Sequence, residues 1–415
     1  MKVLLLGNGG REHAIGWKFA QGDLLSNLIS APGNPGLARL GSTVNIDPTD
    51  SGEVVHLATE SRVDLVVVGP EAPLATGVVD ALTAASIPAF GPVQAGARLE
   101  TSKTFAKAVM ERAGVATAAA QTFAELDAAV EHLDSRAGPY VVKADGLAAG
   151  KGVVVTTDLE QARLWAKDCF SGRFGEAGRR VVVEDYLEGP EISIFGLCDG
   201  TDVIPLPPAQ DYKRLEDRDK GPNTGGMGSF TPVDGFGVER VQAVVDSVIK
   251  PILRCLADDG TPYVGFIYAG LVLTPSGPKV LEFNCRLGDP ETQVILPVLS
   301  SDLLSLIVAC IEGSASAVNS RWSDQSAVNV VLASRGYPEA PVSGDEIAGL
   351  GTDSDETLIF HGGTRIEAGR TLTNGGRVLN VVGMGDDIPT ARERAYARAG
   401  AISFAGKQYR KDIAQ

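Results

Sequence analysis

The run Lys279-Val280-Leu281-Glu282-Phe283-Asn284-Cys285-Arg286-Leu287-Gly288-Asp289-Pro290-Glu291-Thr292 carries the densest chemistry in the sequence. Its apolar members predict a largely buried strand, on which Glu282 and Asn284 stand two apart and share a face. Two hard oxygen donors there suit Mg²⁺, which takes one or two protein groups and completes its shell with water and substrate phosphates. Cys285 falls on the other face and reads as packing. Arg286 and Asp289 sit where the strand gives way to a turn, and a guanidinium in that place can grip a carboxylate or phosphate through two parallel hydrogen bonds. The bland alternative, an edge strand with solvated charges, is disfavoured by Val280, Leu281 and Phe283.

A second constellation is cationic. In Val141-Val142-Lys143-Ala144-Asp145-Gly146-Leu147-Ala148-Ala149-Gly150-Lys151-Gly152-Val153-Val154-Val155, two β-branched runs flank a glycine-rich turn with two lysines. It is not a P-loop: the glycine spacing is too short, Gly152 replaces the Ser/Thr, and a strand follows instead of a helix. A hairpin of this kind can close backbone amides and Lys151 over a polyphosphate while Lys143 stays fixed on its strand. Downstream, Val181–Leu187 leads from a buried strand into a link with Glu184, Asp185 and Leu187, and Glu191 follows. The backbone of such a link can pair with an adenine edge, and a glutamate can accept from ribose hydroxyls.

Two further glycine-rich turns complete the set. Gly7-Asn8-Gly9-Gly10-Arg11-Glu12-His13 follows a strand and opens a helix, where amides and a helix N-terminus favour an anion. Glu12 occupies the place of the third glycine of a dinucleotide fingerprint, and no acidic residue ends the second strand at Ile29-Ser30-Ala31, so NAD is disfavoured. Gly221–Gly228 lies beside Gln210-Asp211-Tyr212-Lys213-Arg214 and suits an anionic substrate, although surface loops often share this composition.

The whole chain bounds these readings. Its 415 residues are enough for two to four domains, and 44% hydrophobic with 21% charged residues is a globular balance. With 37 Lys+Arg against 52 Asp+Glu the net charge is −15, which argues against nucleic acid as a partner. No apolar run approaches the ~20 residues of a membrane span, and the first strand is too short for a signal-peptide core. Five scattered cysteines without a C-x-x-C fit reduced thiols in the cytoplasm. Four distant histidines make a zinc site improbable. The outlier is glycine: 49 of 415 residues, or about 12%, against an average near 7%.

The elements that must position these groups follow from periodicity. Residues 1–95 alternate strands (Val3–Leu6, Leu28–Ser30, Leu65–Val68, Ile87–Phe90) with helices such as His13–Gln21, predicting a doubly wound parallel sheet. A linker is expected near Gly91–Arg98, then a helix over Ser102–Ala113. Residues 114–185 predict a small α+β lid with strands at Tyr140–Ala144, Val153–Thr156 and Arg180–Glu184. Longer strands (Tyr263–Leu273, Lys279–Phe283) and helices (Val238–Leu256, Asp302–Gly313) follow. The stretch 326–415 is expected to be a fourth unit or cap, with strands at Ala327–Ala333, Leu358–Gly362 and Arg377–Gly383 and a helix at Thr390–Ala399.

Taken together, Gly7–His13, Gly69-Pro70-Glu71-Ala72-Pro73-Leu74, Lys143–Gly152, Gln210–Arg214, Gly221–Gly228 and Glu282–Thr292 make the chain resemble the ATP-grasp ligases. More narrowly it resembles the phosphoribosylamine–glycine ligase family, over essentially its whole length. The resemblance implies an α/β and α+β multidomain protein with an N-terminal doubly wound parallel sheet (1–100). A central ATP-grasp fold (101–120 and 186–325), its small lid (121–185) and a C-terminal cap (326–415) would follow. It implies an ATP-dependent carboxylate–amine ligase of de novo purine biosynthesis. Such an enzyme would join glycine to 5-phosphoribosylamine through a glycyl phosphate, giving glycinamide ribonucleotide, ADP and phosphate. Carried over, ATP would lie against Lys103, Lys143, Gly146, Gly150, Gly152, Glu184, Asp185, Leu187 and Glu191. Glu282 and Asn284 would hold Mg²⁺ or Mn²⁺. The phosphoribosylamine would meet Gly9, Gly10, Arg11, Glu71, Asp211, Lys213 and Asn223, with Lys151, Arg286 and Asp289 as the catalytic set. A monomer or weak homodimer in the cytoplasm is expected, with small molecules as its only partners. Tyr212 and Leu287 depart from residues commonly His and Phe in the family, without removing a charged participant.

Overall fold

The computed structural model describes residues 1–148 and 152–415. The first strand, Lys2–Gly7, is the centre of a five-stranded parallel sheet. Asn27–Pro32 and Ser42–Thr43 flank it on one side, and Leu65–Val68 and Ala89–Phe90 on the other. Apolar residues fill both faces: Leu4 and Leu6 join one core, Val3 and Leu5 another, as the period of two requires. The winding direction reverses between Lys2–Gly7 and Leu65–Val68. The turns after these two strands, 8–10 and 69–70, therefore flank the crevice where such sheets bind ligands.

Sequence periodicity misses one element here. Gly91–Arg98, expected as a linker, contains the start of a helix, Gln94–Thr101. Pro92 and Gly96 punctuate the segment, yet Gly96 is where the helix packs closely on Pro92 and Tyr263. Helix Lys103–Ala113 follows, capped by the Ser102 hydroxyl accepting from the Phe105 N–H.

Between 120 and 184 a four-stranded antiparallel sheet runs in the order Ala120–Phe123, Val181–Glu184, Tyr140–Ala144, Val153–Thr156. Val142, Ala144, Val181 and Val183 pack on the helices Leu126–Asp134 and Leu159–Asp168. Alternation turns Val141 and Lys143 to the opposite face. A second antiparallel sheet, in the order Val203–Pro205, Glu191–Asp199, Val264–Thr274, Gly277–Asn284, carries the acidic strand. A register shift opposite Gly270 and Leu271 lies immediately before Glu282.

The C-terminal segment is not closed on itself. Its strands Ser326–Ala333, Arg377–Gly385 and Thr357–His361 extend a sheet begun by Gln210–Asp211 and Gly228–Thr231. Helix Ile388–Ala401 lies on it through Ala391, Ala395 and Ala399, and a Cβ on Gly383 would come within 2.1 Å of the Ala391 carbonyl oxygen. The long helix expected over Val238–Leu256 is interrupted by a π-helical segment, Val245–Ile249, just before Pro251, which has no N–H to give. All five thiols are unpaired, and no helix is long and apolar enough to cross a membrane among the described residues.

Two long-range ties hold the C-terminal segment to the rest. Arg410, 1% exposed, makes a two-pronged pair with Asp412 at 2.8 and 2.7 Å and reaches Asp219 at 2.8 Å. Its guanidinium lies 4.7 Å from the centre of the Tyr212 ring, and the Ala414 N–H donates to the Tyr212 hydroxyl. The second tie is a histidine contact: the His361 N–H donates to His13 Nδ1 at 2.8 Å, which requires His13 to be neutral. Burial pushes both imidazoles down, His361 to about 4 with help from the Arg39 charge.

Replacing Arg410 with alanine leaves Asp412 without its buried partner. It is expected to destabilise the fold by about 3 kcal/mol, read as a lower guanidinium midpoint. The His361 shift has a definite sign. Its pKa is lower folded than unfolded, so its share of stability is complete above about 6.5 and is lost as pH falls toward 4. That share is about 3 kcal/mol at ~1.4 kcal/mol per unit. Between pH 7 and 4.5 the parent's midpoint is expected to drop further than that of His361→Gln; equal drops would refute the assignment.

Candidate active site

Four groups of side chains converge where the sheets meet. On the lid strand, Lys143 is 4% exposed and lies 2.8 Å from Glu184, which also meets Lys107 at 3.2 Å. Glu184 is thus committed to two lysines, and Lys107, absent from the sequence reading, belongs to the same cluster. Lys103 stands at the start of its helix with Nζ donating to the Gly146 carbonyl at 3.2 Å, and burial lowers its pKa. Gly146 is pressed against Ala177, where a Cβ would come within 2.8 Å. The Gly152 carbonyl accepts from the Ala144 N–H at 2.8 Å. Gly150 and Lys151 lie outside the described residues.

Beyond Glu184 the chain crosses from lid to central sheet. Asp185 pairs with Arg136, and its N–H donates to the Ala119 carbonyl. Among the described residues no backbone hydrogen bond reaches the N–H groups of Tyr186, Leu187 or Glu188. Among the described residues the Leu187 N–H is therefore without a backbone partner, as an adenine-binding link requires. Glu191, at the start of the next strand, pairs with Lys213.

Lys213 also meets Asp211 at 3.3 Å. Burial alone would lower the Lys213 pKa, but Asp211 and Glu191 outweigh it and hold the ammonium firmly charged. Burial raises the Asp211 carboxyl. Glu291, buried nearby and 3.3 Å from the Ser193 hydroxyl, is pushed up to about 7 by burial and by the charge of Asp211. Asn223 stands opposite Arg214 in the adjoining hairpin.

A divalent cation here would depend on Glu282 and Asn284. No hydrogen bond or ion pair within 4 Å reaches the Glu282 carboxylate among the described residues. Burial would raise its pKa, but Lys213, Lys143, Lys103 and Arg286 outweigh it and keep it ionised. Asn284 adds one neutral oxygen. No cluster of three or more His, Cys, Asp or Glu ligands exists among the described residues. Two oxygens are too few for a protein-only cage. They fit a magnesium-like cation that shares its shell with phosphates.

The fourth group surrounds the first turn. Glu12 folds back so that its carboxylate accepts from the Gly9 N–H at 2.7 Å and from Arg11 Nε at 2.5 Å. A Cβ on Gly7 or Gly69 would come within 2.5 Å of Glu12 Cγ, so these glycines make room for Glu12. The Gly9 amide, expected to meet a ligand, is thereby occupied by the protein's own carboxylate. Gly10 is buried against Asn380 and Gln293, and Gly9 approaches Asp289. Arg11 donates to the Leu287 carbonyl at 3.1 Å and lies 3.9 Å from Glu71. Arg286 lies between Glu71 at 3.3 Å and Glu100 at 3.0 Å. Burial would raise Glu71, yet Arg286 and Arg11 bring it down to about 2. Asp289 accepts from Gln293 and pairs with Arg377 at 3.2 Å. Sequence alone gives Glu100 and Arg377 no role, and Glu12 only that of displacing a fingerprint glycine. Glu12 alone had a local signal, three residues after Gly9 at a helix start.

Comparison with known proteins agrees along the whole chain. Family models described as the phosphoribosylglycinamide synthetase N domain, ATP-grasp (A) domain and C domain match residues 1–100, 101–292 and 327–415. A Rhizobium meliloti protein named phosphoribosylamine–glycine ligase is 46% identical over 413 residues, covering 100% of this chain and 98% of that one. A Neisseria meningitidis protein of the same name is 47% identical over 417 residues, covering 100% and 99%. The crystal structure of phosphoribosylamine–glycine ligase from Thermotoga maritima superposes with a TM-score of 0.87 at 36% identity, covering 100% of both chains. A biotin carboxylase domain from Hydrogenobacter thermophilus shares the fold alone, with a TM-score of 0.74 at 16% identity over 98% of this chain and 91% of that one. With the ATP-grasp lid, the parallel N-terminal sheet and the C-terminal segment all matched in order, the chain belongs to the phosphoribosylglycinamide synthetase family.

Proposed function

We propose that this chain joins glycine to 5-phosphoribosylamine at the expense of ATP, releasing glycinamide ribonucleotide, ADP and phosphate. The observation that carries this reading is the setting of Glu282, an ionised carboxylate faced by Lys213, Lys143 and Lys103 and by Arg286. Phosphate-binding cations and a carboxylate-binding arginine thus converge on one acidic group. The unoccupied backbone at Leu187 receives the adenine, beside Asp185, and Glu191 serves the ribose once Lys213 yields it. Lys103, Lys143, Gly146 and Gly152 line the phosphates, and by sequence Gly150 and Lys151 close over them. Glu282 and Asn284 hold Mg²⁺ or Mn²⁺, which when bound neutralises charge on the phosphates.

Arg286 receives the glycine carboxylate by exchanging Glu71, the more exposed of its two glutamate partners. A carboxylate oxygen then attacks the γ-phosphorus: an O–P bond forms, the bond to the β-phosphate oxygen breaks, and ADP leaves. The phosphoribosylamine, held by Gly10, Arg11, Glu71, Asp211, Lys213 and Asn223 near Gly9, attacks the glycyl phosphate carbonyl. A C–N bond forms, the C–O bond to phosphate breaks, and the proton lost by the amine leaves on the departing phosphate. Asp289, beside Gly9 and fixed by Gln293 and Arg377, orients that amine. The protein's contribution is positioning and charge neutralisation. Closure of the lid excludes water from the acyl phosphate.

Coupled ADP release, with each substrate omitted in turn, tests this. Omission of either glycine or phosphoribosylamine is expected to abolish turnover; ADP release that depends on bicarbonate and ignores glycine would overturn the reading in favour of a carboxylase. Glu282→Gln keeps shape but removes the charge, and kcat is expected to fall by 10²-fold or more with an unchanged far-ultraviolet spectrum. Near-parental turnover would remove Glu282 from the metal site.

A further inference from the structure

Glu100 is a buried carboxylate that neither the reaction nor the sequence reading uses. It sits in the last turn of helix Gln94–Thr101, which lies across the end of the strand Gly277–Asn284. Its two oxygens close on three consecutive residues of that chain. One accepts the Cys285 N–H at 2.8 Å, and the other lies 3.0 Å from Arg286 Nη2. The third partner is the Asn284 amide. In the orientation that satisfies both ends of that amide, its nitrogen donates to Glu100 at 3.1 Å and to the Phe283 carbonyl at 3.3 Å. The Cys285 sulfur, 3.6 Å from the Ala97 carbonyl, pins the same strand end to the same helix.

A side-chain amide has one donor end and one acceptor end, and only the oxygen can ligate a cation. With the nitrogen held on Glu100, the oxygen turns to the opposite, donor-lined side and is the only end of the amide that a metal could take. We propose that Glu100 is a positioning residue for the metal site, fixing the Asn284 amide so that its oxygen is presented to the cation while Arg286 is held alongside. This rests on the reading of Glu282 and Asn284 as the metal-binding pair.

Neighbours that orient metal ligands typically matter 10–100-fold in metal affinity. Glu100→Gln keeps the volume but supplies one accepting oxygen instead of two, so Asn284 loses its fixed acceptor. Glu100→Asp retains the charge but withdraws it by one methylene, beyond reach of the amide. The test is Mn²⁺ binding to the full chain in the presence of ADP, followed by the electron paramagnetic resonance of free Mn²⁺. Both variants are expected to bind Mn²⁺ at least about 10-fold more weakly. Asn284→Ala is expected to do the same, and Glu100→Asp combined with Asn284→Ala to be little worse than either alone.

Loss in Asn284→Ala with unchanged affinity in Glu100→Asp would overturn the role of Glu100 while leaving the metal pair intact. Unchanged affinity in Asn284→Ala would remove the metal reading itself, and the proposal with it. Fully multiplicative losses in the double variant would show that Glu100 acts by through-space charge or general stability, and would overturn it too. If Glu100→Gln fails to fold, Glu100→Asp carries the comparison alone.

Discussion

The architecture depends on one electrostatic constraint: an acidic protein must hold a knot of partly or fully buried cations, and each must have an anion within reach. Removing an ion from water costs several kcal/mol unless a partner and hydrogen bonds offset it. Lys143 and Lys107 share Glu184, Lys213 shares Asp211 and Glu191, Arg286 shares Glu71 and Glu100, and Arg11 has Glu12. These partners come from helices that follow strands of the parallel sheet, from the lid, the central sheet and the strand Gln210–Asp211, and from helix Gln94–Thr101. The elements cannot drift apart without stranding a charge, so the electrostatics of the site and the relative placement of its walls are one problem. A net charge of −15 is compatible with polyphosphate binding for the same reason. The cations are few, partly or fully buried, and locally balanced by carboxylates.

That local balance is clearest at the first turn. A helix N-terminus with glycines before it is a generic anion site. Here Glu12 already supplies the anion, with the Gly9 N–H and Arg11 as its donors. Gly7 and Gly69 are needed because a Cβ on either would strike Glu12. Part of the glycine excess therefore serves the packing of a buried side chain. What remains around the turn is Arg11, Glu71, and Asp289 beside Gly9.

Much of the scaffold was legible because it is built from apolar runs whose period is local. Val3–Leu6, Leu65–Val68, Tyr140–Ala144 and Val153–Thr156 are strands for reasons contained in their own residues. Helix Gln94–Thr101 was not legible, because its glycine and preceding proline read as punctuation while its reason for existing is Tyr263 and the strand end it covers. The hairpin Arg214–Asn223 was hidden likewise. Arg218 and Asp219 at its turn hold positive φ of 60° and 52° without being glycine. Arg410 and Asp412 bind that turn from the far end of the chain.

The same distinction divides the site. Residue types with intrinsic chemistry, such as Lys143, Glu282, Asn284 and Arg286, announce themselves by spacing, because a strand places i and i+2 together whatever the tertiary fold. Lys107 and Glu100 do not, since a helical lysine and a helical glutamate are ordinary until the fold brings Glu184 or the Asn284–Arg286 segment against them. Long-range pairing has no local signature. Yet here it decides which end of the Asn284 amide is held on Glu100 and whether an arginine is free or committed. The chemistry is written along short stretches of chain. Its orientation is written across 185 residues, between Glu100 and Cys285.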